Sequence, residues 1–161
     1  MISDGELKEL CDKSYAIDPM KQDSRRPQTN KSIYIGDTKF KVIQAISRSE
    51  TGFQGMIVAP VVSDHQIDYS HVTVVYAGTN SKDIKDINQD VQTFGMGSQS
   101  GQVQDANTMA DYAMRIAKEH GYDHVEFSGH SLGGGLALYE AARKEQAART
   151  FSAADPWNAL S

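Results

Sequence analysis

The stretch VEFSGHSLGGGLALYEAA, residues 125–142, restricts the fold more than any other part of the chain. An apolar, β-prone run leads in and a run of good helix formers leads out. Between them a serine stands between glycine-flanked positions, and three glycines in a row follow. A glycine inside a helix costs roughly 1 kcal/mol relative to alanine. Gly133, Gly134 and Gly135 at a helix start therefore call for a steric reason. Gly129-His130-Ser131-Leu132-Gly133 fits the pattern G-x-S-x-G, a sharp strand-to-helix turn. In such a turn the serine takes a strained backbone, and the neighbouring positions must be small for the turn to close. The helix N-terminus then points its free N–H groups and positive dipole end at the serine, where an oxyanion would form.

Other uses of a glycine-rich turn fit less well. Gly129 and Gly134 have the spacing of a phosphate-binding loop, but Gly135 stands where its lysine belongs, with no Ser or Thr after it. GMGSQSG, residues 95–101, misses the dinucleotide-binding fingerprint. A glycine-rich helix start that merely packs on a sheet is the remaining alternative.

The flanking patterns supply the context. Residues 71–78, HVTVVYAG, form a nearly continuous apolar run, as expected of a strand buried on both faces. In 105–120, Ala106, Met109, Ala110, Ala113, Ile116 and Ala117 recur at helical spacing, and Gly121 stops the helix. Strands are expected at 124–129 and 149–154, with a helix at 132–147 between them. Strand, helix, strand, helix, strand implies parallel pairing with right-handed crossovers. Upstream, 39–46 and 53–62 read as an antiparallel hairpin, 4–16 as a short amphipathic helix with Leu7, Leu10, Cys11 and Tyr15 on one side, and 18–32 as a loop. The expected fold is α/β: a mostly parallel central sheet flanked by helices, with an N-terminal antiparallel hairpin. With 161 residues, 1–161 form a single domain.

Composition narrows the chemistry. A net charge of −5 offers no basic footprint for nucleic acid. No run approaches the ~18 apolar residues of a membrane span, and the acidic start MISDGELKELC is not a secretory signal peptide. The expected location is the cytoplasm, or outside the cell by a route without such a signal. Cys11 is the sole cysteine, so no internal disulfide forms. His120 and His124 have a ligand-like spacing, but Gly121 ends the helix between them, so no metal site is expected. No organic cofactor is implied either.

Four motifs in order resemble the class 3, fungal-type lipases of the α/β-hydrolase superfamily. VVYAGTN (74–80) is similar to the family's strand ending in Arg-Gly-Thr or Arg-Gly-Ser, and DIKDINQDVQTF (83–94) to the segment after it. FSGHSLGGGLA (127–137) matches the Gly-His-Ser-Leu-Gly-Gly core, and RTFSAADPWN (149–158) resembles the next strand. The resemblance implies Ser131 as nucleophile, Thr79 as an oxyanion residue through its hydroxyl and N–H, Leu132 as the second N–H, and Asp90 as a structural aspartate. Ala77 replaces the usual arginine and Ile87 the usual tryptophan.

The superfamily's triad order is Ser, then acid, then His. No histidine follows Ser131, and His130 is too close in sequence to swing onto it. Asp155 stands just past the strand after the nucleophile helix, as a candidate acid or, before Pro156, a structural turn residue. The expectation is an N-terminal portion of a longer hydrolase, with the last strands and the triad histidine beyond residue 161. The resemblance implies an acyl hydrolase for a lipid or small ester, with transient contact with a lipid surface. A non-catalytic binding module and an acyltransferase using the same serine are the alternatives. Ile84, Ile87, Val91 and Phe94 lie at helical spacing, as either a surface helix or the lid that fungal-type lipases carry at this point.

Overall fold

The computed structural model describes residues 2–14, 17, 27–48, 50–63, 66–77 and 100–151. Among them run, in chain order, α1 (Asp4–Ser14), β1 (Ser32–Ile35), β2 (Thr38–Ser47), β3 (Gln54–Val62), β4 (Gln66–Ile67), β5 (Thr73–Tyr76), α2 (Ser100–Glu119), β6 (Glu126–His130), α3 (Leu132–Lys144) and β7 (Ala147–Phe151). A single 3₁₀ turn, Tyr69–His71, leads into β5.

The strands form one mixed sheet in the order β1-β2-β3-β5-β6-β7, with β4 paired to β3. Pairing is antiparallel from β1 through β5 and parallel between β5, β6 and β7. This is the expected α/β-hydrolase-like sheet with its antiparallel hairpin, β2–β3. Two differences in extent are informative. Ser32–Ile35 is a strand that the polar loop reading passed over, because only Ile33 and Ile35 of its four residues are buried. Helix α2 starts at Ser100, not near residue 105, since Gln102 is buried and its amide donates to the Thr51 carbonyl at 2.9 Å.

Helices cover both faces. Along β3, Met56 and Val58 point to one face and Ile57 and Ala59 to the other, the period of two that a strand imposes. The first face packs against Leu7, Leu10 and Cys11 of α1, with Phe40, Val42 and Val75. The second packs against α2 (Ala106, Met109, Ala110, Ala113) and α3 (Leu132, Leu136, Ala137, Ala141), with Phe53, Tyr76 and Phe127 in the sheet. The element starts and stops follow local chemistry. Ser3 and Glu6 exchange side-chain-to-backbone hydrogen bonds of 3.1 Å each, a capping box that opens α1. Gly121 at φ 89° closes α2, and the Tyr122 N–H reaches back to the Ala117 carbonyl at 2.9 Å.

Candidate active site

Ser131 occupies the junction between β6 and α3 with φ 56° and ψ −124°, a backbone conformation that L-residues rarely adopt. It does not behave as an ordinary N-cap, because its side chain makes no capping hydrogen bond to the helix. Its N–H donates to the Phe151 carbonyl of β7 at 3.1 Å, and its carbonyl accepts the Gly135 N–H at 3.2 Å, the first helical bond. The turn is thus fixed on both sides while the hydroxyl is left out of the capping.

The glycines now have their steric reason. A Cβ on Gly129 would lie 2.3 Å from the carbonyl carbon and oxygen of Gly133. One on Gly133 would lie 1.9 Å from the Tyr76 carbonyl oxygen. Both obstacles are main chain and cannot step aside. The start of α3 therefore rests directly on the end of β5, and Tyr76 pairs in register with Gly129. Leu132 opens α3 with its side chain in the core, and its N–H, in the first turn, has no partner within the helix.

Ser131 and Leu132 are adjacent by chain and share the elbow. Thr79, Asp90, the Ile84–Phe94 stripe and Asp155 lie outside the described residues. The chain leaves the described part of β5 at Ala77, whose N–H is held by the Gln54 carbonyl at 2.9 Å. Thr79 follows two residues later in the sequence.

The histidines His71, His120 and His124 are at the other end of the sheet. His124 precedes β6 and Ser131 follows it, a separation of roughly 20 Å at the usual strand rise. That lower end holds a second grouping of Asp, Ser and His. The Ser70 hydroxyl donates to Asp68 Oδ1, and His71 Nδ1 lies 2.7 Å from Asp68 Oδ2 and 3.0 Å from Ser70 Oγ. One ring nitrogen faces both partners, so the imidazole cannot relay a proton from serine to carboxylate as a triad does. The cluster caps the 3₁₀ turn, as the Ser70 N–H donating to Asp68 Oδ1 at 3.1 Å shows. Burial opposes ionisation of Asp68, but the hydrogen bonds from Ser70 and His71 together outweigh it and hold the carboxyl below its ordinary range.

Two buried polar residues, one beside the elbow and one more than two turns along α3, escaped sequence reasoning. Ser128, three residues before Ser131, donates to the Arg149 carbonyl at 2.7 Å and lies 3.3 Å from Cys11 Sγ of α1. Burial pushes the Cys11 thiol up to about 11, so it is a packing group and not a nucleophile. Glu140 in α3 is buried as well. Its signal was present: it falls seven, four and three residues after Gly133, Leu136 and Ala137, on the core stripe of the helix. Among the described residues no group of three or more His, Cys, Asp or Glu could hold a metal ion. No described helix is long and apolar enough to cross a membrane.

A family model for the Tle-like phospholipase domain, described as phospholipase-like, matches residues 12–155. The chain belongs to this family. Its fold is similar to that of a mutant form of MDLA from Penicillium cyclopium, with a TM-score of 0.52 and 18% identity over 94% of this chain and 63% of that one. A crystal structure titled as a fungal lipase aligns with a TM-score of 0.47 and 17% identity, over 89% of this chain and 58% of that one. Extracellular lipase LipA from Serratia marcescens aligns with a TM-score of 0.42 and 23% identity, over 64% and 21%. This Tle-like phospholipase domain thus spans less than two thirds of each of these structures. No curated protein matches the chain. The expected lipase-type fold is the one found.

Proposed function

We propose that this domain carries the nucleophile and part of the oxyanion hole of a serine acyl hydrolase whose substrate is a phospholipid or related lipid ester. The observation that carries the reading is the backbone of Ser131, φ 56° and ψ −124°, at a strand–helix junction closed by Gly129 and Gly133. Folds keep such strain, on the order of 1–3 kcal/mol, where it serves a site. Ser131 Oγ attacks the ester carbonyl, the Leu132 N–H and Thr79 hold the developing oxyanion, the alcohol leaves with the serine's proton, and water then frees the fatty acid from the acyl-enzyme. The helix α3 adds the positive end of its dipole at the same place. The general base is a histidine outside the described residues, since His71, His120 and His124 sit at the far end of the sheet and His130 is the immediate neighbour of Ser131 in the chain. The family description supports the lipid class of the substrate.

The test is covalent labelling of the full native protein with a fluorophosphonate, followed by phospholipid turnover. Wild type labels at Ser131, and Ser131→Ala removes both labelling and turnover while the protein stays folded. A folded wild-type protein that neither labels nor turns over phospholipid would favour a binding module. Transfer of the acyl group to an added alcohol in preference to water would favour an acyltransferase.

A further inference from the structure

The buried face of α3 comprises Leu132, Gly133, Gly134, Gly135, Leu136, Ala137, Glu140 and Ala141, apolar but for one carboxyl. The Glu140 side chain has 0% exposure. Neither of its oxygens has a hydrogen-bond partner among the described residues. The charged and titratable groups around it are Arg143 and Lys144 on its own helix, Asp111 on α2 and Tyr76 on β5.

Each of these groups is engaged elsewhere. Arg143 Nη1 lies 3.7 Å from Glu140 Oε1, yet it donates to Asn107 Oδ1, and the guanidinium sits 5.7 Å over the Tyr139 ring. Lys144 donates to Asp111 Oδ1. The Tyr76 hydroxyl donates to the Ala106 carbonyl at 2.7 Å. Asp111 contributes a like charge. A carboxylate in this position has lost its water and found no donor, which is unfavourable for the ionised form and tolerable for the neutral one. Burial pushes the Glu140 carboxyl up to about 7; Arg143 and Lys144 pull against that, and Asp111 adds to it.

We propose that Glu140 is a proton-operated latch between α3 and α2, seating α3 on the core when its carboxyl is neutral and loosening it when the proton leaves to solvent. The same helix begins at Ser131, so the latch acts on the element that forms the elbow. It stands independently of any catalytic role for Ser131.

The sign follows from linkage. The folded-state value is raised above the ordinary 4.5, so the native state binds the extra proton. The Glu140 contribution to stability is greatest below pH 4.5, falls as pH rises towards 7, and is level above that. A rise from 4.5 to about 7 corresponds to a change of about 300-fold in the folding equilibrium.

The experiment is urea denaturation of the full protein and of Glu140→Gln and Glu140→Leu from pH 4.5 to 8.5, with hydrogen exchange on the α3 amides and a carbon-13 NMR titration of the Glu140 carboxyl. Relative to its own value at pH 4.5, where this carboxyl is already half protonated in the unfolded chain, wild type loses about 150-fold in folding constant by pH 8, and both variants lack this loss. Amides of the second half of α3 exchange faster in wild type above pH 7, after correction for intrinsic rates. Parallel pH profiles for wild type and variants overturn the latch. If neither variant folds, the wild-type titration decides: a midpoint near 7 supports it, and one near 4.5 overturns it.

Discussion

The two ends of β6 hold the same kinds of residue to opposite effect. At the lower end, Asp68, Ser70 and His71 bring an acid, a hydroxyl and an imidazole within hydrogen-bonding reach of one another. The backbone there is ordinary, with Asp68 at φ −87°, and the carboxylate, the hydroxyl and the imidazole Nδ1 are hydrogen-bonded to one another. At the upper end Ser131 has a strained backbone, with a hydroxyl that does not cap its helix and glycine sterics on both sides. An inventory of residue types would choose the lower end. Strain, and main-chain contact too close for a Cβ, choose the upper one.

The largest effect on this contrast is expected from Gly133→Ala, which forces a methyl against the Tyr76 carbonyl oxygen, 1.9 Å from the ideal Cβ position. Overpacking against main chain should destabilise the fold by about 3 kcal/mol or more in urea denaturation. A folded variant within 0.5 kcal/mol of wild type, as is usual for surface changes, would remove the steric account of the elbow. Ser131→Gly should act in the opposite direction. It places the one residue that tolerates φ 56° at the strained position and should raise stability by about 1 kcal/mol while abolishing fluorophosphonate labelling. A loss of stability would show that the turn is not strained.

The smallest effect belongs to the lower end. Asp68→Asn removes the charged partner of His71 and should cost about 1 kcal/mol at neutral pH. Because the folded Asp68 carboxyl lies below its ordinary 3.8, its contribution is present above that pH and is lost as pH falls through the folded value. The gap between wild type and variant should therefore close in strong acid and leave labelling at Ser131 untouched. Loss of labelling in the folded variant would tie the two ends together after all.

Much of this arrangement was legible in the sequence, and the reasons are specific. The run VEFSGHSLGGG declared its turn because glycine is disfavoured in helices unless space demands it. The continuous burial of β5 and of most of β3, on both faces of the sheet, follows from their apolar runs. Less legible was β1, where Tyr34 and Ser32 face outward and dilute the pattern to two buried residues. The links through Ser128 and the burial of Glu140 were not read either. A serine in a strand looks like a surface residue until its partners across the core are known, whereas Glu140 was marked by its place on the apolar stripe of α3 and set aside for its charge. Thr79 and Asp155, the remaining site candidates, fall outside the described residues.

The contact between Cys11 and Ser128 joins residues 117 positions apart in the chain, and the Arg149–Asp4 ion pair spans 145. During synthesis at roughly 5–20 residues per second, α1 leaves the ribosome many seconds before the strand it docks on. Its apolar side meets Phe40, Val42, Met56, Val58 and Val75 as they follow, but the Cys11 end that touches Ser128 stays uncovered for that whole interval. Pairing so distant in sequence must wait for loop closure. The first helix made thus closes its last contacts only once β6 and β7 have followed it, and the strand leading to Ser131 takes part of its cover from the oldest stretch of the chain.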